Sequence, residues 1–307
     1  MHPLPPLIVL VGPTAVGKTL KAIQLAEMLN GEIVSADSRL FYRGMDIGTA
    51  KPSPEERARV PHHLIDVADP DQIWSLTVFQ QAAKDAIAQI HSRGKLPFLV
   101  GGSGQYVHAV TKGWTPPRIK PNPELRRELE KAADVNGPIW LHDRLAAIDP
   151  SAAGKIDPRN VRRTIRALEV ILTSGILFSE QKGQSPSPYS LVQVGLSMPR
   201  VELYQRIDAR IDAMFEQGLL GEVAGLLDKG YSPDIPTLSA IGYRECAKVI
   251  EGTLTIEEAK IQMRKATRIF VRRQSNWFKE NDPGISWFDP NSSIQEIFTL
   301  ITRMSDI

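Results

Sequence analysis

Leu7-Ile8-Val9-Leu10-Val11-Gly12-Pro13-Thr14-Ala15-Val16-Gly17-Lys18-Thr19 is the stretch from which the fold of this chain is read. Its five leading apolar residues have the length and composition of a strand buried on both faces, as in parallel sheets. The next eight residues satisfy G-x-x-x-x-G-K-[ST], and Thr19–Asn30 then places Leu20, Ile23, Leu25, Ala26 and Leu29 at near-helical spacing. Strand, glycine-framed turn and helix, in that order, are the context in which this pattern wraps a phosphate. Gly12 and Gly17 let the backbone N–H groups of the intervening Pro13-Thr14-Ala15-Val16 loop turn inward. The helix start adds its positive dipole end, Lys18 a full charge, and Thr19 a hydroxyl suited to Mg²⁺.

Working outward, Glu32–Ala36 and Leu96–Val100 read as further strands, and Ser75 as the N-cap of a helix through Phe79, Ala83, Ile87 and Ile90 that Gly94 closes. This rhythm predicts an α/β fold: a P-loop-containing parallel sheet flanked by helices, with ligands at the carboxyl ends of the strands. The rhythm stops between two proline-rich segments, Thr115–Pro123 and Gly183–Pro188. The residues they bracket read as helices near Pro123–Ala133, Ile139–Ile148 and Asn160–Ser174. Strand character returns at Leu191–Ser197. The expected organisation is therefore a core of residues 1–115 and 191–307 with an inserted helical subdomain at 116–190. Helices are expected over Arg200–Lys229, with breaks near Gly218 and Gly221, and over Ser239–Glu251 and Thr255–Glu280, giving a helical C-terminal region.

Of 307 residues, 42% are hydrophobic and 23% charged, which excludes disordered and fibrous classes. The run Leu7–Val11 is too short to span a bilayer, and no charged n-region precedes it, so neither membrane nor secretory signal is expected. A single cysteine, Cys246, points to a reducing cytoplasm and excludes an internal disulfide or thiolate zinc cluster. Net charge is only +2, yet six Lys or Arg and no acid fall within Ile261–Lys279, and five basic residues against Asp157 within Lys155–Arg166. Such blocks are either the footprint of a polyanion or solvated faces balanced by acids elsewhere in space.

A usual P-loop NTPase carries a magnesium-organising Asp at a strand end, where this chain reads Gly101-Gly102-Ser103-Gly104. The acid follows the second strand instead, as Asp37 in Ser35-Ala36-Asp37-Ser38. There it is a candidate general base or the acceptor of a local Asx-turn. Ser103 is a candidate to bond a phosphate or to orient Asp37. His62 and His63 are adjacent, so their rings face different ways, and they are read as structural.

Together with the phosphate loop, Asp37-Ser38, Tyr42-Arg43-Gly44-Met45-Asp46-Ile47-Gly48-Thr49-Ala50-Lys51-Pro52, Gly101–Gly104, Arg166-Ala167-Leu168-Glu169, Ile241-Gly242-Tyr243-Arg244-Glu245 and Arg272-Arg273-Gln274 resemble bacterial tRNA dimethylallyltransferases. These motifs run in family order from residue 12 to about 279. The resemblance implies transfer of a five-carbon group from dimethylallyl diphosphate to the exocyclic amine of the adenosine 3′ of the anticodon, with intact diphosphate leaving. It assigns Lys18, Thr19 with Mg²⁺, and Arg210 to the diphosphate, and the amine proton to Asp37, oriented by Ser103. An anticodon stem-loop is the implied partner, met by Asp37, Ser38, Arg39, Leu40, Ser103, Gly242, Tyr243, Arg244, Arg272, Arg273 and Gln274, and by Arg126, Arg162, Arg163 and Arg166 of the insertion, which with the core clasps it. Arg264, Arg268 and Arg272 form one stripe at i, i+4, i+8, and Trp277 either stacks on a base or packs in the core. Six to eight neutralised phosphates would give a log–log salt slope of roughly −4 to −7. Other family members suggest a monomer.

Leu40 departs from the family's D-S-x-Q by replacing a hydrogen-bonding glutamine. Ser103 stands for threonine, Asn276 for threonine and Arg272 for lysine. Three alternatives stand beside this reading: a small-molecule kinase sharing the phosphate loop, a non-catalytic RNA-binding relative, and a prenyltransferase acting on free adenine nucleotides.

Overall fold

A computed structural model of the chain describes residues 4–114, 119, 121–181, 183 and 185–305, so the two proline-rich segments lie partly outside the described residues. The chain divides into two compact units, Met1–Gly113 with Pro186–Ile307, and Trp114–Ser185.

The first unit is built on a six-stranded sheet whose every pairing is parallel, in the order β3-β2-β4-β1-β5-β6. Its elements are β1 (Pro6–Val11), α1 (Lys18–Met28), β2 (Gly31–Ser35), α2 (Pro54–Arg59), β3 (His62–His63), α3 (Leu76–Ser92), β4 (Leu96–Gly101) and α4 (Gly104–Thr111). After the second unit they resume with β5 (Ser190–Leu196), α9 (Arg200–Glu216), α10 (Leu219–Asp228), α11 (Tyr243–Ile250), α12 (Ile256–Ser275), β6 (Ser286–Phe288) and α13 (Ile294–Ser305). Leu7 to Val11 have no exposed surface, each such side chain contributing roughly 2 kcal/mol of apolar burial. Because β2, β4 and β1 are neighbours running the same way, the segments that follow them, bearing Asp37, Ser103 and Gly12, emerge at one end of the sheet.

Local capping explains most boundaries. Ser75 accepts from the Val78 amide to start α3, and Thr255 and Glu258 form a capping box that starts α12. The expected Arg200–Lys229 helix breaks only at Gly218, whose φ is +97°; Gly221 stays inside α10. The helix expected from Ser239 starts later, at Tyr243, because Gly242 takes φ +99° and residues 237–242 form turns. The last long helix ends at Ser275 rather than Glu280, and Phe278 beyond it is buried in the core. β3 and β6 have two and three residues, too short for a periodic signal. His63 Nε2 lies 2.7 Å from the buried Glu32 carboxylate, while His62 Nδ1 donates to Val60 O, so the two rings do face apart. Among the described residues no helix is long and apolar enough to cross a membrane.

The second unit comprises α5 (Pro123–Asn136), α6 (Pro138–Ile148), α7 (Pro150–Ala153) and α8 (Val161–Ser174), packed through Leu141, Leu145, Ile165, Leu168 and Ile171. At its centre Glu169 has no exposed surface and receives Arg126 (2.8 Å to each oxygen), Arg166 Nη1 (2.6 Å) and the Asn122 amide (2.7 Å). Burial alone would raise this carboxyl, but the two guanidiniums and the amide overcome it and hold the pKa at about 2. Arg126 and Arg166, expected to meet RNA, both join this ion pair while their side chains stay partly exposed.

A carboxyl held this low stabilises the unit fully above the ordinary glutamate pKa of 4.5, and loses that contribution as pH falls toward about 2. Glu169→Gln is expected to cost about 1–3 kcal/mol in denaturant unfolding, since two half-exposed guanidiniums lose the buried carboxylate they share, and to flatten the acid limb of the stability curve between pH 4.5 and 2.

Candidate active site

Gly12, with φ +148°, passes so close to β5 that a Cβ there would lie 2.5 Å from Leu196 O, and Gly17 starts α1 from the left-handed region at φ +101°. Between them Ala15 also sits at φ +65°, a strain of order 1–3 kcal/mol that needs support from its surroundings. Support comes from α12: Gln274 Oε1 accepts from the Thr14 amide (2.9 Å), and its Nε2 donates to Gly102 O (3.1 Å). Gly102 is required for this approach, because a Cβ there would lie 2.3 Å from Gln274 Nε2. Gln274 is thus a buried strut of the phosphate loop rather than the RNA contact its motif suggested.

The loop opens into a chamber of about 490 Å³ whose lining includes Lys18, Thr19, Ser35, Asp37, Leu40, Arg206 and Arg210. Burial is the chief cause that draws Lys18 down to about 8, with the Arg210 charge adding to it and the Asp37 charge opposing. Lys18 Nζ donates to Pro13 O at 2.7 Å. Arg210 is largely desolvated, which lowers its pKa, but a guanidinium stays charged. Ile33, Ile65, Val100 and Leu40 give the same chamber an apolar wall. A second chamber of about 520 Å³ is lined by Ser38, Arg39, Arg244, Phe270 and Arg273, and shares Thr14, Ala15, Asp37, Thr49 and Arg210 with the first. Asp37 therefore stands where a cationic phosphate site and a polar, aromatic site meet.

The end of the Tyr42–Pro52 stretch supplies part of the chamber walls, with Thr49 lining both. Glu222 of α10 accepts from the amides of Asp46 (3.0 Å), Ile47 (2.7 Å) and Gly48 (3.2 Å) and from the Tyr243 hydroxyl (2.6 Å). Lys51 ties back to Tyr42 O, Asp46 and Asp66, and Arg210 Nη2 donates to Thr49 O at 3.3 Å. Tyr243 has no exposed surface; burial first and Glu222 second push its phenol pKa far up, so it remains a hydrogen-bond donor. Its side chain is a pillar of this stretch and cannot touch RNA, contrary to the expectation from its motif. Gly242 is likewise buried, its amide donating to Glu245.

Several other expected residues lie elsewhere. Ser103 does not hydrogen-bond Asp37; Asp37 Oδ1 accepts from the Arg39 amide at 3.0 Å, the Asx-turn alternative. Arg39 reaches back to Pro236 O and Thr237 O. Leu40 lines the phosphate-loop chamber and not the second one. The basic stripe of α12 is partly balanced within the fold: Arg264 pairs with Asp212 (2.8 Å) and Arg268 with Asp208 (2.7 Å), both on α9. Arg162, Arg163, Arg272 and Arg273 are exposed and carry no ion pair among the described residues. Trp277 packs over Gly104, where a Cβ would lie 2.2 Å from its ring, and edge-on to His108. Arg206 and Glu222 escaped the sequence reading, and His62, read as structural, lines the phosphate-loop chamber. Only Arg206 carried a usable signal, one turn before Arg210 on the same helix face.

Fold and site define a P-loop α/β protein in which two chambers meet at one carboxylate. The IPP transferase family pattern matches residues 40–281. A tRNA dimethylallyltransferase of Roseiflexus sp. (strain RS-1) is 55% identical over 89% of this chain and 90% of its own length, and one from Thermomicrobium roseum is 48% identical over 94% and 88%. The crystal structure of a full-length tRNA isopentenylpyrophosphate transferase from Bacillus halodurans superposes with a TM-score of 0.73 at 44% identity, covering 98% of this chain and 97% of that one. A eukaryotic dimethylallyltransferase acting on tRNA gives a TM-score of 0.79 at 28% identity, covering 97% and 77%. The chain belongs to the IPP transferase family.

Lys18 binds anions only as the ammonium. The Lys18 contribution to pyrophosphate affinity is therefore expected to fall as pH rises above about 8, with proton uptake by Lys18 near pH 8. Calorimetry in buffers of different ionisation enthalpy measures that uptake, which Lys18→Met should abolish.

Proposed function

We infer that this protein is a tRNA dimethylallyltransferase, moving a dimethylallyl group from its diphosphate to the exocyclic amine of the adenosine 3′ of the tRNA anticodon. The observation that carries the reading is the position of Asp37, shared by a chamber with a phosphate loop and an apolar wall and by a chamber with exposed arginines and Phe270. Diphosphate would lie on the loop amides, Lys18, Arg206 and Arg210, and the five-carbon group against Ile33, Leu40 and Ile65. The target adenine, unstacked from its neighbours, would enter beside Phe270 and Arg273. The amine nitrogen then forms a bond to the allylic carbon as the carbon–oxygen bond breaks. The bonding pair leaves on diphosphate, where the loop and the guanidinium meet the developing charge, and the amine proton passes to the Asp37 carboxylate.

Family membership implies magnesium dependence, and the residues fit an ion that arrives with the diphosphate. Thr19 and Asp37 offer oxygen donors on one chamber wall, and no cluster of three His, Cys, Asp or Glu forms a separate cage among the described residues. When bound, magnesium would neutralise charge on the departing diphosphate.

Incubation with dimethylallyl diphosphate, Mg²⁺ and unmodified tRNA, followed by mass spectrometry of the nucleosides, should yield isopentenyladenosine, and free AMP should remain unmodified. Asp37→Asn keeps the acceptor for the Arg39 amide while losing the base, and is expected to slow transfer by about 10²- to 10⁴-fold with tRNA affinity unchanged. A product phosphorylated from ATP would instead indicate the kinase alternative. Four exposed, unpaired arginines, Arg162, Arg163, Arg272 and Arg273, set a salt slope for tRNA binding of about −3, shallower than the sequence count implied because Arg126, Arg166, Arg264 and Arg268 are already paired.

A further inference from the structure

A third cavity, of about 750 Å³, opens on the far side of the phosphate loop, at the carboxyl ends of β1, β5 and β6. It includes the Gly12-Pro13 start of the loop but none of Lys18, Asp37 or Arg210. Its floor is the buried Leu203, Val271 and Phe278, and one wall is the half-buried pair Trp287 and Phe288. Gly195 lets the indole settle onto β5, since a Cβ there would lie 2.5 Å from the ring. The Trp287 Nε1–H is occluded and has no acceptor, a defect that a ligand acceptor reached by a small tilt of the ring would relieve. At the mouth stand Arg200, Arg272 and Lys279, exposed and without an ion pair among the described residues; Glu280 and Asp289 also line it, the latter accepting from the Asn291 amide.

We propose that this groove binds a nucleoside phosphate, its base against Trp287 and Phe288 and its phosphate on Arg200 and Arg272. Aromatic faces beside unpaired guanidiniums are the combination that holds a base and its phosphate without needing a particular sequence. An acidic peptide would satisfy the cations but leave the aromatic wall unused. The nucleotide has two possible sources, a free mononucleotide or a residue of the bound RNA. The second rests on the prenyl-transfer reading and is favoured by α12: Arg273 lines the chamber proposed for the target adenine, Arg272 lines this groove, and Gln274, which also lines the groove, grips the phosphate loop. An RNA strand crossing the last turn of α12 would meet both sites, and occupancy of the groove would bear on the loop through Gln274.

The test is a titration of the full chain with AMP, followed by tryptophan fluorescence, in saturating pyrophosphate. AMP is expected to bind with pyrophosphate present, at least tenfold more weakly to Arg200→Glu, and without the quench in Trp287→Phe. Adding an anticodon stem-loop separates the sources: displacement of AMP assigns the groove to an RNA nucleotide, and simultaneous binding assigns it to a free one. AMP that pyrophosphate displaces, or that Arg200→Glu binds unchanged, overturns the proposal. So does the absence of AMP binding together with no photocrosslink from the stem-loop to residues 286–289. These readouts do not depend on prenyl transfer, so failure of the groove and failure of the catalytic reading remain separable.

Discussion

The amide of Gln274 is the tie on which the site depends. It is a buried group with one acceptor and two donors, and it spends them on the phosphate loop at Thr14 and on the strand-end glycine loop at Gly102. Without it, the loop's amide and carbonyl partners would be left unsatisfied in a nearly dry region, at about 1–3 kcal/mol each. The left-handed Ala15 would also lose its neighbouring brace. The helix that delivers Gln274 is locked in turn to α9 by Arg264–Asp212 and Arg268–Asp208, and α9 carries Arg210. The loop amide of Thr14 and the Arg210 guanidinium are thus each tied to one member of a helix pair, so their spacing is a property of helix packing as well as of loop conformation.

What could be read in advance was whatever is local along the chain. The phosphate loop announces itself because its function needs glycine, lysine and threonine at fixed short intervals, and the caps Ser75 and Thr255 act on amides three residues away. The paired arginines of α12 could not be read, because their acids lie 52 and 60 residues earlier and nothing in either segment names its partner. The same distance hides Gln274, which acts on Thr14 across 260 positions. Tyr243 is the instructive miss: its motif is specific, but the specificity serves a buried phenol against Glu222 instead of a surface contact.

The long stretch from Tyr42 to Pro52 has a comparable physical basis. Three successive amides converge on one carboxylate, a concavity that forms only if each backbone pair takes a set conformation. Gly48 must lack a Cβ because the Tyr243 ring would be 2.5 Å away. Lys51, nearly inaccessible, answers two carboxylates and a carbonyl. A segment without regular secondary structure is in this way as determined as a strand, and it offers Thr49 O to Arg210 from a fixed place.

Cys246 lies wholly inside α11, and burial, with Glu245 and Glu222 nearby, pushes its thiol up to about 12. Thiolate is the reactive form, so at neutral pH the native chain offers essentially no sulfhydryl to alkylating or oxidising reagents. A cysteine introduced at any chosen surface position would then be the sole labelling handle on an otherwise unmodified protein, and a fluorophore placed on either unit would report that unit without background.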